Sequence, residues 1–210
     1  MDKQFAVFDM DGTLIHSMTF WKNLASEYLS SKGVKQIQEG ILEQIKPMTM
    51  SESAALFVRE FGLSGNPEAE MNAMMDAHYQ NDIPLKPGVR EYLQTLRRRG
   101  VRMCVASATA EPLMEACLKR LGIRDYFEFL LSCETVGAGK RSPLVYRESA
   151  KRLGAAPAEV AVYEDALYAV QTAKAAGYYV VGVYDDSTAK NWQTIEGIAD
   201  ETILDWEENI

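Results

Sequence analysis

Three things are scarce in this chain: cysteine, positive charge and long apolar runs. Cys104, Cys117 and Cys133 are the only cysteines. They are odd in number and share no CxxC spacing, so neither a disulfide framework nor a zinc site is indicated. Small apolar residues in a reducing cytoplasm are the expected reading, and cytoplasm is the expected location. Lys and Arg number 22 against 30 Asp and Glu, a net charge of −8. That balance argues against a nucleic-acid surface. It leaves room for an anionic substrate, because one local cation can reverse the sign of a site. No stretch approaches the roughly 20 apolar residues needed to span a bilayer, so no membrane partner is expected. The opening MDKQFAV has neither a basic n-region nor an apolar h-region, so no signal peptide is expected, and the closing DWEENI carries no lipidation motif. Internal repeats and low-complexity segments are missing too.

What is present is an ordinary globular composition, 47% hydrophobic and 25% charged over 210 residues. That length fits one domain, or one domain with a sizeable insertion. FAVFDM (5–10), VRMCVAS (101–107), FEFLLSC (127–133), VAVYED (160–165) and YYVVGVY (178–184) read as strands buried on both faces. Between them EPLMEACLKRLG, PLVYRESAKRLG and DALYAVQTAKAAG space their apolar residues as helices and close at Gly122, Gly154 and Gly177. The alternation predicts an α/β core: a Rossmann-like, doubly wound, mainly parallel sheet.

Residues 17–83 interrupt that pattern. MTFWKNLASEYLSS, IQEGILEQIK, SESAALFVREFG and PEAEMNAMMDAHYQ read as four amphipathic helices, with Ser51 a candidate cap and Pro67 suited to a first turn. IPLKPGVREYLQTL restarts the α/β pattern. The expected organisation is therefore a core of residues 1–16 and 84–210 with a helical insertion at 17–83. An insertion directly after the first strand belongs at the carboxyl edge of the sheet, where open α/β folds bind ligands. It could cover the site as a lid or be a decorative subdomain.

The strand ends carry the chemistry. Asp9 and Asp11 close the first strand, Ser107 the second, and Glu164 with Asp165 the fourth. Lys140 lies in the glycine-flanked loop VGAGKRSP. Each alone has an ordinary reading: an acidic strand end, a helix cap at Ser107, a solvated lysine, a helix N-terminus at Glu164–Asp165. Together, along one sheet edge, they describe a Mg²⁺-dependent phosphoryl-transfer site, since magnesium takes carboxylate oxygens, waters and phosphate. Asp9 could attack phosphorus. Asp11 could protonate the departing alkoxide and later deprotonate water. Ser107 and neighbouring main-chain N–H groups such as that of Ala108 could bind phosphate oxygens, and Lys140 could offset charge on nucleophile and phosphoryl group.

DMDGT (9–13), VASAT (105–109), Lys140 and VYEDALYAV (162–170) resemble, in that order, the four motifs of the haloacid dehalogenase-like hydrolase superfamily, and the resemblance extends over essentially the whole chain. It implies that Asp9 is the nucleophile and Asp11 the general acid/base. It implies that Asp9, the main-chain carbonyl of Asp11, and Asp165 hold Mg²⁺ with Glu164 close by, and that Ser107, Ala108 and Lys140 bind the phosphoryl group. The insertion resembles the family's small helical cap, and small-capped members are often monomers. Leu144 and Ala166 depart from the family pattern, which often has Asp and Ser there, so altered support for Lys140 or the metal is expected. His16 stands where relatives commonly have Asp; it could line the hinge or start a helix. His78 is expected to be a plain exposed helix residue.

Within the resemblance, Asp11 speaks against halide removal and against phosphonate cleavage, although Lys46 lies in the insertion. A phosphatase of a small phosphorylated metabolite (sugar phosphate, phosphoglycolate or nucleotide monophosphate) is the expected activity. A sugar-phosphate mutase of the β-phosphoglucomutase type is the alternative, weakened by HSMTFWKN where such enzymes carry an Asp-Thr-Ala segment and a histidine. A non-catalytic binding protein on the same fold is the alternative of another class. Met18, Trp21, Met48 and Met50 are candidate substrate contacts, though such residues more often belong to a core.

Overall fold

A computed structural model describes all residues except Met1, Gln38, Lys46, Pro47, Thr49 and Ile210. Lys46 therefore lies outside the described residues. The chain divides into two compact units, Met1–Ser17 with Ile83–Ile210, and Met18–Asp82.

The first unit opens on β1 (Phe5–Phe8), whose last three residues are fully buried. After the inserted unit come α5 (Val89–Arg98), β2 (Arg102–Ser107), α6 (Glu111–Arg120), β3 (Leu130–Ser132), the short α7 (Cys133–Val136), α8 (Leu144–Leu153), β4 (Val160–Glu164), α9 (Leu167–Ala175), β5 (Tyr179–Val183), α10 (Trp192–Ile198) and β6 (Glu201–Ile203). Among the described residues the sheet has six strands in the order β3-β2-β1-β4-β5-β6, every pair parallel. This is a doubly wound arrangement, and the order reverses beside β1, where such folds open a crevice at the strand carboxyl ends. Phe8 is level with Val105 on β2 and Tyr163 on β4, so the residues that follow each strand emerge together.

The strands are shorter than the apolar runs that announced them. FEFLLSC contributes only Leu130–Ser132; Arg124–Tyr126 form a turn of tight helix and Cys133 starts α7. β1 stops at Phe8, but the Asp9 N–H still donates to the Tyr163 carbonyl at 3.0 Å, so Asp9 is pinned to the sheet as its backbone leaves it. β6 and α10 are additions to the expected elements. Beneath β1 an aromatic group braces the site: Phe8 stacks on Tyr163 with ring centres 4.1 Å apart, and Trp206 packs edge-on to Tyr92 at 4.9 Å. The Tyr92 and Tyr163 hydroxyls are 2.9 Å apart. All three free cysteines are buried.

The second unit contains α1 (Met18–Ser31), α2 (Glu39–Ile45), α3 (Met50–Phe61) and α4 (Pro67–Asn81). Its interior gathers Leu24 and Tyr28 from α1, Leu56 and Phe57 from α3, and Met71, Met75 and Tyr79 from one face of α4. Asn66 caps α4 by accepting from the Ala69 N–H at 3.1 Å, and Pro67 occupies the first turn. Ser51 does not cap α3, which already includes Met50. Trp21 donates to the Tyr79 hydroxyl at 3.1 Å, and Met18, Met48 and Met50 are half-buried. His78 is not the plain exposed residue expected: it is half-buried, its Nδ1 2.8 Å from Asp82 and its Nε2 3.3 Å from Glu27. Among the described residues no helix is long and apolar enough to cross a membrane.

Candidate active site

The carboxyl ends of β1 and β4 and the loop before α8 bring four of the predicted residues, Asp9, Glu164, Asp165 and Lys140, into one group. Lys140, from the loop before α8, is its centre. The Nζ of this buried lysine donates to Asp9 Oδ1 and reaches Glu164 Oε1 at 2.7 Å. Asp9, Glu164 and Asp165 are also buried, and one carboxylate oxygen from each lies within 4.8 Å of the others. Lys140 is thus no solvated lysine. Glu164 ends β4, and α9 begins only at Leu167, so the Glu164–Asp165 pair is not the first turn of a helix.

Burial pushes the Asp9 carboxyl well above its ordinary range; Lys140 pulls it back, while Glu164, Asp165 and Asp11 add to the rise. Asp165 is pushed up to about 7, by burial first and then by Glu164. For Lys140, burial disfavours the charge, but Asp9 and Glu164 outweigh it and hold the group as an ammonium.

These residues fit a hard divalent cation. Three buried carboxylates face one ammonium, which leaves two negative charges uncompensated, and every donor is an oxygen. Glu164 Oε2 is buried without a hydrogen-bond partner among the described residues. A cation held by Asp9 and Asp165 with Glu164 beside it would answer both the surplus charge and the raised carboxyls.

Asp11 is held apart from this group. It is half-buried, and its Oδ2 accepts from the Thr109 hydroxyl at 2.7 Å and from Ser107 Oγ at 3.3 Å. Ser107 Oγ in turn accepts from the Thr109 N–H at 3.1 Å. Ser107 is therefore not the cap of α6, a place taken by Ala110. Ala108 is exposed and lines an open cavity with Gly139, Lys140, Arg141, Ser142 and Tyr168. Gly12, at φ 78°, turns the chain from Asp11 back toward Ile15, a conformation that side-chained residues rarely adopt. At the departures from the family pattern, Leu144 points to solvent and Ala166 caps α9 without a side-chain bond. Asp165 receives a hydroxyl from elsewhere, Thr13 Oγ1 at 3.4 Å. His16 is exposed, and its N–H donates to the Pro84 carbonyl at 3.0 Å, where the chain leaves and re-enters the first unit.

Sequence reasoning missed several supporting groups. Tyr146 donates to Glu164 Oε1 at 2.7 Å. Trp206 Nε1 donates to the Thr13 carbonyl at 3.2 Å. Lys86 is buried and donates to the Gly12 carbonyl, to the Tyr184 carbonyl at 2.8 Å and to Asp185 Oδ2 at 3.0 Å. The one signal for Lys86 was its place between Pro84 and Pro87 in a segment otherwise read as core.

Comparison with known proteins agrees with this geometry. The family model described as haloacid dehalogenase-like hydrolase matches residues 4–177. Phosphoglycolate phosphatase of Thiobacillus denitrificans is 31% identical over 81% of this chain and 78% of its own. Hexitol phosphatase B of Escherichia coli is 29% identical over 81% of this chain and 79% of its own. The crystal structure of CbbY from Rhodobacter sphaeroides in complex with phosphate shares the fold, with a TM-score of 0.76 at 24% identity over 98% of this chain and 96% of that one. A second CbbY structure, in complex with xylulose-(1,5)bisphosphate, superposes equally well at a TM-score of 0.76. The chain belongs to the haloacid dehalogenase-like hydrolase family, among its phosphatases.

Proposed function

We propose that the chain hydrolyses the phosphate monoester of a small phosphorylated metabolite, a sugar phosphate or phosphoglycolate, through a phosphoryl intermediate on Asp9, with Mg²⁺ as cofactor. The observation that carries the reading is the buried Lys140 ammonium joining Asp9 to Glu164 beside Asp165, with Asp11 a separate carboxylate on its own pair of hydroxyls. The substrate class draws on the names of the relatives, which act on hexitol phosphates and phosphoglycolate, and on the bisphosphate bound by CbbY.

Phosphate monoesters hydrolyse extremely slowly unaided, so a large barrier must be lowered. Lys140, Ser107 and the main chain at Ala108 hold the phosphoryl oxygens, and Lys140 offsets charge as it shifts toward phosphorus. A carboxylate oxygen of Asp9 attacks phosphorus and the bond to the leaving oxygen breaks. Asp11 gives its proton to that oxygen, so the product departs as an alcohol. Asp11 then takes a proton from water, whose oxygen attacks phosphorus. The Asp9–phosphorus bond breaks, inorganic phosphate leaves, and both aspartates return to their starting states. Mg²⁺ held by Asp9, Asp165, Glu164 and the Asp11 carbonyl would supply charge neutralisation for the phosphoryl group.

The test is a phosphate-release panel of hexitol phosphates, hexose phosphates, phosphoglycolate, nucleotide monophosphates and p-nitrophenyl phosphate with Mg²⁺. Release from one or more esters is expected, and EDTA or Asp9→Asn should abolish it. Conversion of β-glucose 1-phosphate to glucose 6-phosphate without net release would instead favour a mutase. Silence across the panel would favour a binding protein.

A further inference from the structure

Lys86 has no part in the reaction just described, yet it is buried and fully engaged. An ammonium has three donors. Here they meet the Gly12 carbonyl, the Tyr184 carbonyl and the Asp185 carboxylate. Tyr184 and Asp185 follow β5, which is separated from β1 by β4, the strand that delivers Glu164 and Asp165. Lys86 therefore ties the turn after β1 to the end of β5 across the catalytic strand. The Asp185 end of this tie is itself fixed, accepting from the Ser187 N–H at 3.0 Å and from the Ser187 hydroxyl at 2.6 Å.

The bond to Gly12 is the informative one. Gly12 immediately follows Asp11, and as a glycine at φ 78° it is the freest link in the turn. Its N–H is held by the Ile15 carbonyl at 3.1 Å and its carbonyl by Lys86, so the peptide groups on both sides of it are fixed. Without Lys86 the Gly12 carbonyl would lose its donor in a buried setting. The turn would then relax, carrying Asp11 off the hydroxyls of Thr109 and Ser107.

We propose that Lys86 is a positioning residue for Asp11, clamping the Gly12 carbonyl so that the Asp11 carboxyl is aimed at the leaving oxygen. The inference rests on the phosphatase reading above. It makes a claim that a purely structural lysine does not satisfy: the damage from losing Lys86 depends on the leaving group. An alkoxide must be protonated as it departs, whereas p-nitrophenolate leaves without a proton.

Lys86→Met is therefore assayed with p-nitrophenyl phosphate and with the fastest alkyl ester of the panel, fructose 1-phosphate or phosphoglycolate. Proton transfer contributes about 10²- to 10⁴-fold, and a small misplacement forfeits part of it. The expected result is a fall in kcat/KM, which reports only the transfer to Asp9, of about 10- to 100-fold on the alkyl ester and within about threefold on p-nitrophenyl phosphate. Water attack on phosphorylated Asp9, which Asp11 also serves, is common to both substrates and enters kcat alone. Asp185→Asn leaves Lys86 its two carbonyls but removes its counter-charge. It should show the same selectivity at a smaller factor, and it carries the test if Lys86→Met does not fold. Equal losses of kcat/KM on both substrates, or no loss on either, overturn the proposal. A wild-type chain silent on both esters removes the phosphatase reading and this inference with it.

Discussion

Replacing Lys140 with methionine keeps its length and removes its charge, and the structure sets what should follow. At an effective dielectric of about 20, unit charges 2.7 Å apart, the Lys140–Glu164 separation, attract by roughly 6 kcal/mol, and Asp9 is closer still. Much of that is offset by the cost of burying the ammonium, which methionine does not incur. The net loss expected for breaking a buried charge cluster by removing one partner is about 3–5 kcal/mol. Against a total stability of about 5–15 kcal/mol, that is readily measured. The loss should depend on pH. Asp9 and Asp165 already sit above their ordinary range, and without Lys140 both rise further. A carboxyl raised in the folded state binds a proton that the unfolded chain has given up. Stability therefore falls as pH rises from about 4, the unfolded value, through the folded value. The deficit of Lys140→Met should be small near pH 4.5 and larger at pH 8. Mg²⁺ should return part of it at pH 8, because a ligand of the folded state stabilises by mass action. Urea unfolding followed through tryptophan fluorescence, with and without Mg²⁺, reads all of this. A Lys140→Met chain as stable as wild type at pH 8, with an unaltered pH profile, would refute the buried cluster.

Gly88→Ala should be among the most damaging single-methyl additions. Gly88 has φ 77°, and an added Cβ would lie 2.6 Å from the Glu207 nitrogen and 2.8 Å from the Trp206 carbonyl carbon, both main-chain atoms. A loss of about 3 kcal/mol or more is expected by thermal unfolding, and Trp206 should lose its hold on the Thr13 carbonyl. His78→Gln tests the helical unit. Burial lowers the His78 imidazolium's hold on its proton, but Asp82 and Glu27 outweigh it and leave the group above its ordinary value. The contribution is therefore full below about pH 6.5 and is lost as pH rises through the folded value. The variant should be less stable than wild type by about 0.5–1 kcal/mol at pH 5.5, and nearly equal to it at pH 8.5.

The core was legible where strands are fully buried. FAVF, VAVYE and YVVGV are apolar on both faces because helices cover both sides of a parallel sheet, and that burial leaves an unmistakable run. β6 left none: it is three residues at the sheet edge with only Ile203 buried. FEFLLSC overstated its strand. The Glu128 N–H and the Phe129 carbonyl still bond to Met103 and Val105 of β2, but the regular strand covers only Leu130–Ser132. Phe127 and Phe129 are apolar because they pack against Phe8 and the core. The carboxylates and Lys140 were legible because each sits at a strand end in an order that chemistry explains. Lys86 and Trp206 were not. Trp206 and two of the three Lys86 donors meet main-chain carbonyls, Thr13 193 residues from Trp206 and Gly12 74 residues from Lys86 among them, and a main-chain acceptor leaves no trace in residue type. His78 was misjudged for a related reason, since Glu27 lies on a different helix, 51 residues earlier.

The central claim is that Asp9 carries the phosphoryl group. Quenching wild-type chain with borohydride during turnover reduces an acyl phosphate to an alcohol, so peptide mass spectrometry should find homoserine at position 9, dependent on substrate and Mg²⁺. Steady phosphate release with Asp9 unmodified, or with the reduced residue at another carboxylate, would contradict it.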